Sequence, residues 1–234
     1  MIENKQTFRT LPRQRGLSLV ELMIAMVLGL VLLAAGMNMY AGSTRSSRFS
    51  EGIQSMQDNG RYGISVLRQG LRLAGFSPSV DLEPLDLANS SSAQVTIRTA
   101  HPYDCNGQST ASTDGIAVNT YSYDSSSETI TCTGNQDGSS AMPLVEGVEA
   151  FRILYGVDAE ASDDSDAPQR YVAWNAGLRA DEVSSLRIAL LVNSGKAIRS
   201  RSVSGTYVVL DEEVTINDRM AREVFSSTVL LRNR

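Results

Sequence analysis

The chain has 234 residues, 42% of them hydrophobic, and a formal net charge of −5. That length suits one ordinary domain with a segment appended, and the acidic balance argues against general nucleic-acid binding. The charge is unevenly spread: Lys5, Arg9, Arg13 and Arg15 against Glu3 give the first 16 residues a balance of +3, which leaves −8 on the rest. A basic start on an acidic protein marks a targeting segment that does not share the domain's environment.

From Leu22 to Tyr40 run 19 residues without a charge, LMIAMVLGLVLLAAGMNMY. At about 1.5 Å per residue, a helix of that length spans roughly the hydrocarbon core of a bilayer. Positive charge before it and polar sequence after it place the N-terminus in the cytoplasm and the bulk outside. A cleaved secretory signal would have a shorter apolar region and small residues at a cut site beyond it. A plain single-pass anchor fits the length. Neither explains Glu21, which stands at the cytoplasmic edge of the run behind GLSLV. A carboxylate entering a bilayer is costly and marks a candidate functional residue; the alternative is a glutamate that snorkels to the interface.

The string R-Q-R-G-L-S-L-V-E-L, Arg13 to Leu22, resembles the processing motif of type IV prepilins. The resemblance implies a cut by a prepilin peptidase between Gly16 and Leu17, and methylation of the new N-terminal amine on Leu17. The family usually has Phe after the cut, and Leu17 departs from that. Glu21 then stands fifth in the mature chain, where the family's glutamate pairs with the N-terminal amine of a neighbouring subunit and sets subunit register. An opposite charge pair attracts strongly inside an apolar bundle, and an unpaired charge there is costly.

Beyond a polar stretch (GSTRSSRFSEG), helix periodicity resumes. Ile53, Met56, Gly60, Gly63, Leu67, Gly70 and Ala74 recur at steps of three and four, with Ile64 and Leu71 widening the stripe and Arg61, Arg68 and Arg72 mostly off it. The glycines weaken a helix by roughly 1 kcal/mol each and let another element come close. Gly75 and then Pro78 end it. The spacing predicts one long helix, half in the membrane and half on a domain, with Gly29, Gly36 and Gly42 as places to bend or melt.

From about residue 80 the pattern becomes β-rich, at 94–99, 115–121, 128–133, 148–157, 186–192, 207–210 and 224–231, separated by turn clusters such as Asn106-Gly107 and Asn193-Ser194-Gly195. LRIALLV (186–192) is apolar on both faces and is the expected central strand, covered by the helix. The expectation is an α+β domain: one helix across a curved antiparallel sheet, with irregular loops at 100–145 and 158–182. The boundaries read as a leader at 1–16, a membrane or filament-core helix at 17–41, its continuation at 42–76 and a β domain at 77–234.

Segments 58–76, 145–158, 183–194 and 222–234 are similar to the PilW family of minor pilins. The likeness implies a type IV pilin-like fold and a structural role, priming and building type IV pili for adhesion and twitching motility. Implied partners are the prepilin peptidase, other minor pilins, the major pilin, the assembly platform, the inner membrane and a large tip adhesin. A minor pseudopilin of a type II secretion system is the near alternative.

The remaining candidates are few. Cys105 and Cys132 are the only cysteines and His101 the only histidine, so a tetrahedral zinc site is short of soft ligands. Export favours a disulfide over two free thiols, worth roughly 3–4 kcal/mol for a loop of that length. GxSxG, HExxH and a complete P-loop are absent, so neither an enzyme nor a cofactor is expected. His101 reads as a surface residue. Asp163, Asp164 and Asp166 lack the EF-hand pattern and read as a solvated loop, not a calcium or other metal site. Lys196, Arg199 and Arg201 lack the aromatic partners of a DNA-binding surface. Trp174, beside Tyr171, reads as a packing residue.

Overall fold

The computed structural model describes residues 16–158 and 167–233. The acidic loop with Asp163, Asp164 and Asp166, and the leader up to Arg15, lie outside the described residues. The chain divides into two units, Met1–Ser47 and Arg48–Arg234. A single helix, α1 (Leu19–Arg72), contributes to both. It passes through Gly29, Gly36 and Gly42 as helix, so the melting expected there is not seen.

The described residues of the second unit hold ten strands. β1 (Gln94–Ala100), β2 (Ile116–Asp124), β3 (Thr129–Thr133) and β4 (Met142–Glu146) form one antiparallel sheet in that order. β5 (Val148–Val157), β6 (Arg170–Ala173), β7 (Val183–Asn193) and β10 (Arg222–Leu230) form another in the order β10-β7-β5-β6. β8 (Val203–Val209) and β9 (Glu212–Asp218) pair as a separate hairpin. The single sheet expected from the sequence is therefore three.

β7 explains the difference. Side chains alternate along a strand, and Leu186, Ile188, Leu190 and Val192 join the main core with Met56, Leu67 and Leu71 of α1. Ala189 and Leu191 face the other way, against Val209, with Val214, Ile216 and Val224 packed around them. The strand is apolar on both faces because the helix covers one and the hairpin the other. Full burial of each large aliphatic side chain stabilises by about 1.5–3 kcal/mol.

The glycine stripe of α1 brings the sheets close. Gly60 lies against the Phe225 ring, Gly70 against Tyr121, and a Cβ at Gly63 would sit 2.9 Å from a Leu190 methyl. Gly60→Leu is expected to cost about 1–3 kcal/mol through overpacking. Gly29→Leu, where nothing lies within 4 Å of the added carbon, is the control. Thermal melts of the two variants test this, and equal melting temperatures would contradict it.

The helix ends at Arg72, and Gly75 turns the chain with φ +77° while its N–H donates 2.8 Å to the Arg98 carbonyl. The tail returns to this point: Asn233 Nδ2 donates to the carbonyls of Arg72 (3.4 Å) and Ala74 (3.3 Å), groups a helix end leaves open.

Cys105, in the loop after β1, and Cys132 of β3 form a disulfide with Cα atoms 6.3 Å apart. The surrounding loops are irregular but firmly bonded. Asp104 accepts the N–H groups of Asn106 and Gln108 at 2.9 Å and the Ser139 hydroxyl at 2.7 Å. Burial alone would raise its pKa, but these bonds outweigh it and hold the carboxyl below its usual range.

At the far end of β7 and β10, the Arg222 side chain is 3% exposed and donates to both Glu149 and Asp218. Asn193 Nδ2 ties Glu149 (2.9 Å) to Glu128 (3.1 Å). Hydrogen bonding from Arg222 is the main reason the Asp218 pKa falls to about 2. The folded value lies below the unfolded one of about 3.9, so this contribution to stability is complete above pH ~4 and is lost as pH falls toward ~2. Denaturant midpoints measured across that range should fall less steeply for Asp218→Asn than for the wild type. Parallel profiles would contradict the assignment.

Candidate assembly site

The first unit presents a different surface. Among the described residues its apolar side chains stand open: Leu22, Met26, Leu30 and Leu33 are 52–66% exposed, and Leu32, Met37 and Tyr40 more so. An 18-residue window of α1 reaches a mean hydropathy of 2.5, enough by length and composition to cross a membrane. Gly16 and Leu17 precede this helix, and both are exposed.

The start of the helix has a local cause. Ser18 stands just before Leu19, and its Oγ accepts the Glu21 N–H at 3.2 Å, while its carbonyl accepts the Leu22 N–H at 3.2 Å. Ser18 therefore caps the N-terminus, and Glu21 is the third helical residue, where a carboxylate favours the positive end of the helix dipole. S-L-V-E is the sequence signature of a capping box, a signal that the reading of Glu21 above passed over. Among the described residues no group meets the Glu21 carboxylate.

The other sequence candidates are scattered. His101 is exposed at the end of β1, with Nδ1 2.7 Å from the Tyr103 carbonyl. Arg199 lies near enough to Asp218 to help lower its pKa, whereas Lys196 and Arg201 point to solvent. Trp174 packs against the main core and donates from Nε1 to the Leu87 carbonyl at 3.2 Å. Tyr171 lies under the Arg187 guanidinium, 4.0 Å from its ring centre. Among the described residues no group of His, Cys, Asp or Glu is arranged to hold a metal ion.

Comparisons with known proteins bear on both units. Residues 11–37 match the prokaryotic N-terminal methylation motif, a span containing Gly16, Leu17 and Glu21. Residues 116–233 match the family of the type IV pilus-assembly protein W. Among solved structures, a type IV-like pilin from Thermus thermophilus aligns over 76% of this chain and 95% of its own, with 16% identity and a TM-score of 0.45. No curated protein sequence matches the chain. A long apolar-headed helix with antiparallel sheets behind a methylation motif defines a type IV pilin-like protein. Within that class, the chain belongs to the PilW family. Its family and fold are structural rather than catalytic, and its apolar helix fits a membrane-anchored pilin.

Proposed function

We propose that this chain is a minor pilin that helps to prime and build type IV pili. Residues 1–16 are its cytoplasmic leader and 17–41 its membrane span and later filament core. The sheets then face the periplasm before assembly and the cell exterior after it. A prepilin peptidase cuts between Gly16 and Leu17, and Leu17 is methylated. The chain then joins other minor pilins, the major pilin and the assembly platform, at the tip with a large adhesin.

The observation that carries this reading is the capped helix start. Ser18 satisfies the Glu21 backbone N–H and leaves the Glu21 carboxylate open for a cation from outside the chain. The implied cation is the Leu17 amine of a neighbouring subunit. An opposite charge within about 4–6 Å holds a carboxylate ionised on entry to an apolar bundle.

Mass spectrometry of the protein from native membranes tests the processing. Leu17 is expected as the first residue, carrying one methyl group, and Gly16→Leu should accumulate the uncut form. An intact Met1 terminus in cells with an active prepilin peptidase would refute the proposal.

A further inference from the structure

The two four-stranded sheets have four outer edges, and three are protected. The outward groups of β1 are taken by chain that precedes it: Asp86 N–H donates to the Thr96 carbonyl, Arg98 N–H to the Pro84 carbonyl and Ala100 N–H to the Phe76 carbonyl. β4 has five residues, Pro143 among them without an N–H, and its Glu146 carbonyl accepts from Asn59. β6 has four residues and begins with Arg170. Short length, proline and charge are the devices that blunt a sheet edge.

β10 carries charge only at its first two residues, Arg222 and Glu223. It is nine residues long and, from Val224 through Leu230, holds no charge, proline or glycine. Its pairing fixes which groups are open. Leu231 N–H donates to the Ser184 carbonyl and Ser194 N–H to the Ala221 carbonyl, at either end of a register from Arg222↔Asn193 to Leu230↔Ser185. Bonded pairs alternate in an antiparallel ladder, so the odd-numbered residues bond β7. The N–H and C=O groups of Val224, Ser226, Thr228 and Leu230 point away from it. Ser226, Thr228 and Leu230 are exposed. A row of alternating donors and acceptors is complemented by another strand.

The helix indicates the strand's chemistry. One flank of α1 faces the first sheet, through Asn59 at Glu146 and Gly70 at Tyr121; the other faces β10, through Gly60 at Phe225 and the Arg72 carbonyl at Asn233. At about 100° per residue, Arg61, Arg68 and Arg72 fall on the β10 flank. All three are exposed, and among the described residues none forms an ion pair. We propose that β10 accepts an extended, acidic strand from another subunit of the assembly, with its Asp or Glu side chains under this arginine row. A second copy fits poorly: two β10 strands paired antiparallel about a two-fold axis would set two arginine rows face to face across the joint. The partner's place in the assembly rests on the minor-pilin reading above; the strand pairing itself does not.

The test uses the full chain in its own membrane, with a photo-crosslinking amino acid at Ser226, Thr228 or Leu230 in turn and mass spectrometry of the linked peptides. The expected result is one segment of another pilus subunit, containing Asp or Glu, with crosslinks stepping along it in register. Crosslinks onto β10 of a second copy, crosslinks without register, or none would overturn the proposal. Thr228→Lys, at an exposed position, and Ser226→Pro, at an outward N–H, should each lower recovery in sheared pili at least tenfold at unchanged membrane level. Wild-type recovery of both would also overturn it. Register crosslinks from a chain that never reaches pili would refute the minor-pilin reading and keep the strand; a piliated chain without them would do the reverse.

Discussion

Glu21→Ala is expected to enter the membrane and lose its leader like the wild type, yet to fall about tenfold or more in sheared pili. The Ser18 cap survives this change because it uses the backbone N–H of residue 21, so the helix still starts where it did. What goes is the only carboxylate in the first unit's helix. In the membrane that loss costs little, because a carboxylate at the interface is hydrated. In the apolar bundle proposed above it would leave a neighbour's amine unpaired, and an uncompensated buried charge costs about 3–5 kcal/mol. Glu21→Gln keeps the shape and removes the charge, so it should behave the same way. Immunoblots of pili against membranes give the ratio, and incorporation equal to wild type would leave Glu21 as an interfacial residue with no register role.

Cys132→Ser is expected to destabilise the second unit by about 2–5 kcal/mol. Two effects add. The cross-link closes a loop over a separation of 27 residues, which restricts the unfolded chain. Cys132 is also 0% exposed within the main core, so a serine hydroxyl there needs a partner that the apolar surroundings do not supply. Cys105→Ser, at a half-buried loop position, isolates the first effect and should cost less. Denaturant unfolding with and without reductant checks this: reductant should lower the wild type and leave both variants unchanged. A wild type insensitive to reductant would contradict it.

The anchor was legible because bilayer thickness and the cost of charge in hydrocarbon act on any sequence in the same way. The domain half of α1 was legible for a related reason: a stripe at steps of three and four has one physical solution. The ends of β5, Val148–Val157, could be read to the residue. β9 could not. Its EEVTIND run has only two apolar side chains, Val214 and Ile216, which pack on the sheet beneath, and the rest are polar or charged. β4 was hidden by Pro143, which demotes a strand in sequence but is tolerated at an edge. The two-sided apolar pattern of LRIALLV gave its central place correctly. It could not say that a hairpin from later in the chain, rather than a second layer of helix, would cover the outer face. The role of Ser18 at the helix start was readable and was overshadowed by the carboxylate three residues on.

The clasp from Asn233 to Arg72 and Ala74, at the end of α1, joins residues 161 and 159 apart in sequence. Synthesis runs from the N-terminus, so α1 is made long before its closing contact exists. β7, the strand that needs partners on both sides, gains the second only when β10 arrives. Until then its edge stands open beside α1. Contacts of such long range form slowly, because loop closure must precede their reward. Closure of the domain thus waits on its latest strand: until β10 and Asn233 are in place, β7 lacks its second neighbour and the carbonyls of Arg72 and Ala74 lack their donor.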